Sequence, residues 1–70
     1  MSMRLIFNRN VSADYFDRRL DEIYPKYYQR GDVIDVSSVE HDGNFLIVSL
    51  ESGDTLMSVP NGSLDHTTDY

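Results

Sequence analysis

The chain has no cysteine, no lysine or arginine after Arg30, and no uninterrupted apolar run longer than Phe45 to Val48. Each absence removes a class of protein. Without cysteine there is neither a disulfide framework nor a thiolate zinc site, which disfavours a small secreted scaffold and points to a reducing, cytoplasmic location. The longest apolar run falls far short of the roughly 20 residues that a membrane-spanning helix needs, and the stretch from Met1 to Arg9 is too short in apolar residues for a signal peptide. Two N-x-S triplets, Asn10-Val11-Ser12 and Asn61-Gly62-Ser63, would accept a glycan only after secretion and read as chance. No G-x-S-x-G elbow, glycine-rich phosphate loop, H-E-x-x-H or paired cysteine motif is present, so neither an enzyme nor a cofactor is expected. Glu40-His41-Asp42 is the best metal-like cluster, but neighbouring side chains on a strand point to opposite faces and Asp42 belongs to a turn, so no metal site is expected.

What is present is an uneven distribution of charge over 70 residues. The bases Arg4, Arg9, Arg18, Arg19, Lys26 and Arg30 all lie in the first 30 residues, where Asp14, Asp17, Asp21 and Glu22 oppose them and leave a formal +2. Residues 31–70 hold Asp32, Asp35, Glu40, Asp42, Glu51, Asp54, Asp65 and Asp69 with no base, formally −8, and the two parts together give the net −6. A one-signed surface steers an oppositely charged partner, raising its on-rate by about 10- to 1,000-fold at low salt. Asp32, Asp42 and Asp54 sit beside glycines and are explained by turn chemistry. Asp35, Glu40 and Glu51 are explained less well by it and are the candidate acidic binding residues. Direct nucleic-acid binding is not expected, because the whole chain would be repelled by phosphate and Asp14, Asp17, Asp21 and Glu22 offset the arginines locally.

The spacing predicts a short strand at Leu5 to Phe7, then a helix. Ser12 stands as its N-cap, Asp14 lies in its first turn, and Ala13, Phe16, Leu20, Ile23 and Tyr27 recur at intervals of three and four. Asp14 with Arg18, Arg18 with Glu22, and Glu22 with Lys26 form i,i+4 pairs on the wet side, each worth about 0.2–0.5 kcal/mol in an isolated helix. Pro25 ends or kinks that helix and Gly31 suits its left-handed cap. Tyr15, Arg18 and Arg19 cluster on the wet side and form a second candidate binding face, because tyrosine and arginine are favoured interface anchors.

From Asp32 the pattern alternates, as in a β-meander. A strand over Asp32 to Glu40 carries Ile34 and Val36 on one face and Val33 and Val39 on the other. Asp42-Gly43 turns a hairpin into Asn44 to Glu51, and Ser52-Gly53-Asp54 leads to a last strand over Thr55 to Val59. The apolar residues on both faces of Phe45 to Leu50 place that strand centrally and ask for a second cover. Gly31-Asp32-Val33-Ile34-Asp35-Val36, Asp42-Gly43-Asn44-Phe45, Gly53 and Val59-Pro60-Asn61 resemble the second half of an SH3-type small barrel. The likeness implies a curled antiparallel sheet. Phe45 stands where that family has tryptophan and no ligand loop precedes Gly31, so no ligand site is carried over.

The expected fold is α+β, one amphipathic helix on a small antiparallel sheet in the order β-α-β-β-β, with a single domain over residues 1–64 and a loose tail over 65–70. The expected function is a small acidic protein-binding module, an inhibitor or accessory factor of the kind bacterial viruses carry, which engages a basic protein such as a nucleic-acid-binding one. The alternative is a self-assembling homo-oligomer, since a sheet with two apolar faces and one short helix needs another cover.

Overall fold

The computed structural model describes residues 3–67. These form seven strands: β1 (Met3–Phe7), β2 (Val11–Asp17), β3 (Glu22–Tyr28), β4 (Val33–Asp42), β5 (Phe45–Leu50), β6 (Thr55–Pro60) and β7 (Leu64–His66). All pair antiparallel in one sheet of order β3-β2-β6-β5-β4-β1-β7. The α+β expectation is therefore corrected: the described residues contain no helix, and the order β-α-β-β-β becomes all-β. No segment of them can cross a membrane as a long apolar helix.

The segment read as a helix is the β2–β3 hairpin, closed by a four-residue turn at 18–21 between Asp17 and its partner Glu22. Its apolar residues obey the strand period instead. Val11, Ala13 and Tyr15 are buried at alternate positions, whereas Leu20, Ile23 and Tyr27 of the supposed helical stripe are exposed. Tyr15, assigned to the wet side of a helix, belongs to the core. Pro25 and the dense Ile23, Tyr24, Tyr27 and Tyr28 favour extended backbone, and β3 is an edge strand, where proline is tolerated. The turn is stabilised by the Asp17 carboxylate, which accepts the backbone N–H groups of Arg19 at 3.0 Å and Leu20 at 3.2 Å, and Asp21 takes a left-handed φ of 52°.

From Val33 to Pro60 the strands run in the stretches that alternation marked out. The β4–β5 hairpin turns on Gly43 and Asn44 rather than on Asp42 and Gly43, because Asp42 still pairs with Phe45. Gly43 has φ 63° and Asn44 no positive φ, the pattern of a type II′ turn. Two bulges change the side-chain parity. In β4 the register slips between Val36 and Ser38, so Val39 pairs with buried Val48 and packs on the same core as Val36 instead of on the opposite face. In β6 the register slips opposite Ile47, with Ser58 at φ 59°, and both Leu56 and Val59 become fully buried.

One core results. Leu5, Phe7, Val11, Ala13, Tyr15, Tyr28, Val36, Leu46, Val48, Leu56 and Val59 pack in it. The sheet curls until Phe7 of β1 stacks on Tyr28 of edge strand β3, ring centroids 4.6 Å apart. The link between β3 and β4 holds this closure, with the Gly31 N–H donating to the Phe7 carbonyl at 2.8 Å and the Phe7 N–H to the Asp32 carbonyl at 2.9 Å. Of the expected tail, Asp65 and His66 pair with β1 within β7, and residues 68–70, Asp69 among them, lie outside the described residues.

Candidate functional site

The charge division of the sequence becomes a spatial one. Strands β6, β5 and β4 are adjacent at the middle of the sheet and carry no base, while Arg4 lies on β1, Arg18 and Arg19 in the β2–β3 turn, and Lys26 on β3.

At the boundary of the two regions the curl leaves a groove of about 360 Å³, between the start of β4, the end of β5 and the β2–β3 hairpin. Tyr15, Lys26 and Tyr28 form one wall, Val33, Ile34 and Asp35 another, and Leu50, Glu51 and Ser52 the third. Lys26 places its Nζ 4.6 Å from the centre of the Tyr15 ring and 5.7 Å from that of Tyr28. Both distances suit attraction of a cation to the negative face of an aromatic ring. The rings are held from behind: Tyr28 by Phe7, and Tyr15 by Tyr24, with centroids 5.3 Å apart and planes 24° apart.

The Tyr15 hydroxyl donates to one oxygen of Asp54, and the Arg18 backbone N–H donates to the other at 3.0 Å. The hydrogen bond from Tyr15 and then that backbone bond hold the Asp54 carboxyl below its ordinary range. The same bond, with burial and the carboxylate charge, raises Tyr15 well above the ordinary phenol. Tyr28 is raised by burial and by the charge of Asp32. Both rings in the groove therefore stay neutral at physiological pH, and the Lys26 ammonium lies over their faces.

Asp35 accepts a hydrogen bond from Arg4 Nε at 3.2 Å, with both side chains more than half exposed at 54 % and 56 %. An ion pair that open to water is worth little and yields readily to a competitor. The Glu51 backbone N–H donates to the Asp35 carbonyl at 3.0 Å and fixes the two acidic residues side by side. The Glu51 carboxylate has no hydrogen-bonding or ion-pair partner among the described residues.

Of the candidate residues, the structure thus brings Tyr15, Asp35 and Glu51 into one groove. Glu40 does not join them. It lies further along β4, opposite Ile47 and near the hairpin tip. Arg18 and Arg19 border a separate, polar depression of about 250 Å³ with Asp17, Ser52 and Asp54, where the Arg18 guanidinium lies against Gly53. Sequence reasoning missed Lys26 and Tyr28. Their signal was the alternation Tyr24, Lys26, Tyr28, which puts all three side chains on the face of Val11, Ala13 and Tyr15 once the segment is a strand.

No family model matches the chain, and neither a curated protein nor a solved structure matches it.

Proposed function

We propose that the protein is a small protein-binding module, an inhibitor or accessory factor, that engages a basic protein by taking one of its lysine or arginine side chains into the groove between Tyr15, Tyr28, Asp35 and Glu51. The observation that carries this reading is the position of Lys26: the groove already holds an ammonium group against its aromatic wall. A partner's cation that displaces Lys26 finds the same two rings, together with the unpaired Glu51 carboxylate and an Asp35 held only by an exposed pair. The base-free strands β4, β5 and β6 supply the longer-range attraction that brings such a partner in. The role is one of binding rather than catalysis, and the cysteine-free composition suits a reducing cytoplasm.

A lysine- and arginine-rich peptide serves as the probe. Titrated into the labelled protein, it is expected to shift the resonances of Tyr15, Lys26, Tyr28 and Glu51 ahead of those of Glu40. Asp35→Asn with Glu51→Gln weakens binding several-fold and flattens its dependence on salt between about 50 and 300 mM, a span over which the screening length falls from roughly 14 to 6 Å. Binding that ignores both the double variant and salt, or shifts confined to the β2–β3 turn, overturns the reading.

A further inference from the structure

We infer that β3 is a pairing edge for β3 of a second copy of the chain, joined antiparallel about a two-fold axis at Tyr24. β3 also supplies Lys26 and Tyr28 to the groove, so pairing through Lys26 draws its ammonium away from the two rings, but the inference does not rest on the proposed function.

β3 is a seven-residue edge strand that pairs with β2 alone, and its burial pattern leaves every residue before Tyr28 exposed. A free strand edge presents unpaired backbone donors and acceptors, a row that in β3 is interrupted at Pro25, which has no N–H. The opposite edge, β7, is only three residues long. Apolar side chains accompany the free edge: Ile23 is 62 % exposed, Tyr27 75 %, and Leu20 in the adjoining turn 58 %. Exposed apolar residues beside an unpaired edge suit an interaction surface.

Charge selects both the occupant and the register. In an isologous antiparallel pair each residue meets its mirror position about the axis. With Tyr24 on the axis, Glu22 of one copy lies opposite Lys26 of the other, and symmetry makes that pair twice. Ile23 meets Pro25, an apolar contact on the other face. Moving the axis to Pro25 would set the two prolines against each other and leave Glu22 opposite Tyr28 and Lys26 opposite Tyr24. Moving it to Ile23 would leave Glu22 opposite Tyr24 and Asp21 opposite Pro25. Only the Tyr24 register joins opposite charges. Glu22 and Lys26 also cancel, so the net −6 of the chain is not concentrated on this edge. A self-complementary pattern of this kind fits a second copy better than an unrelated strand.

The test is the mass of the intact chain by light scattering and sedimentation from micromolar to several hundred micromolar. The expected result is a concentration-dependent rise toward twice 8.1 kDa. Glu22→Lys places lysine opposite lysine and Lys26→Glu places glutamate opposite glutamate, and each is expected to weaken the dimer by about tenfold or more. Mixing the two single variants restores opposite charges at both pairs and is expected to recover a heterodimer, which a merely structural effect of either substitution would not do. Circular dichroism checks that each variant is folded. A monomeric mass throughout overturns the inference, as does a dimer indifferent to both variants or a mixture that yields no heterodimer.

Discussion

Replacing Ser12 by valine is expected to stabilise the protein. Ser12 is exposed one pair in from the open end of the β2–β3 ladder and lies directly opposite Tyr27, itself 75 % exposed. Its hydroxyl makes no hydrogen bond among the described residues, so nothing polar is lost. A β-branched residue facing an aromatic across two antiparallel strands contributes about 0.2–1 kcal/mol relative to an alanine pair, and the strand preference of valine acts in the same direction. In a domain of this size 1 kcal/mol moves the melting temperature by roughly 4–8 °C, so a rise of about 1–8 °C is expected. The helical alternative has the opposite sign. There Ser12 is the N-cap, and losing it costs about 1 kcal/mol. Urea unfolding monitored by circular dichroism decides between them, with an unchanged m-value showing that only stability has moved. A midpoint lowered by the equivalent of about 1 kcal/mol at constant m would refute the strand assignment.

At the β4–β5 turn, Gly43→Ala is expected to cost about 1–2 kcal/mol, because φ is 63° and no atom lies within 4 Å of the added Cβ, so the cost is that of the backbone alone. Asp42→Thr, at a strand position opposite Phe45, is expected to change stability by less than about 0.5 kcal/mol in the same urea assay; a larger loss there than at Gly43 would return the turn to Asp42-Gly43. Stability is also expected to fall at alkaline pH, since Tyr15, Tyr24 and Tyr28 all titrate above the ordinary 10.0. The fold favours their protonated forms, so this contribution is fully present below pH 10.0 and is lost as the pH rises toward the folded-state values; melting temperatures measured above pH 10.0 should decline less steeply for Tyr15→Phe than for the parent, and equal slopes would count against the bond to Asp54.

The strands from Val33 to Pro60 could be read from residues because their signals agree with one another, whereas β7 fell where a last turn and a loose tail were expected. Alternation, Gly43, Gly53 at φ 97° and Pro60-Asn61-Gly62 all indicate strands separated by tight turns, and no helical series of comparable length runs through them. The segment from Val11 to Tyr28 contains two periods at once. Val11, Ala13 and Tyr15 recur every two residues, while Ala13, Phe16, Leu20, Ile23 and Tyr27 recur every three or four. The helical series is longer, but it has to carry Pro25 in its interior and four β-formers from Ile23 to Tyr28, two local costs that a strand does not meet. The turn that separates the strands contains no glycine. Asp17 and Asp21 supply the turn chemistry instead, and acids there could equally be read as the polar side of a helix. The bulges are harder still, since one extra residue reverses the facing of everything after it. Their trace is Val33, Val36 and Val39 at spacings of three in a segment that is otherwise a strand: a bulge near Ser37 reconciles Val36 with Val39 on one core.

The site divides in the same way. The missing bases are a property of composition and are visible without a fold, which is why Asp35 and Glu51 could be singled out. The aromatic wall could not be, because it depends on which period governs residues 11–28 and on a curl that carries an edge strand back to β1. Once Tyr24, Lys26 and Tyr28 share a face with Tyr15, the lysine has two rings to lie against. The closure that stacks Phe7 on Tyr28 then brings that wall to the start of the acidic β4. The groove is therefore a consequence of joining the mixed-charge first segment to the base-free second one along a single curled sheet. A helix over residues 12–27 would have set Tyr15 and Lys26 about 16 Å apart along its axis and left no continuous wall facing Glu51.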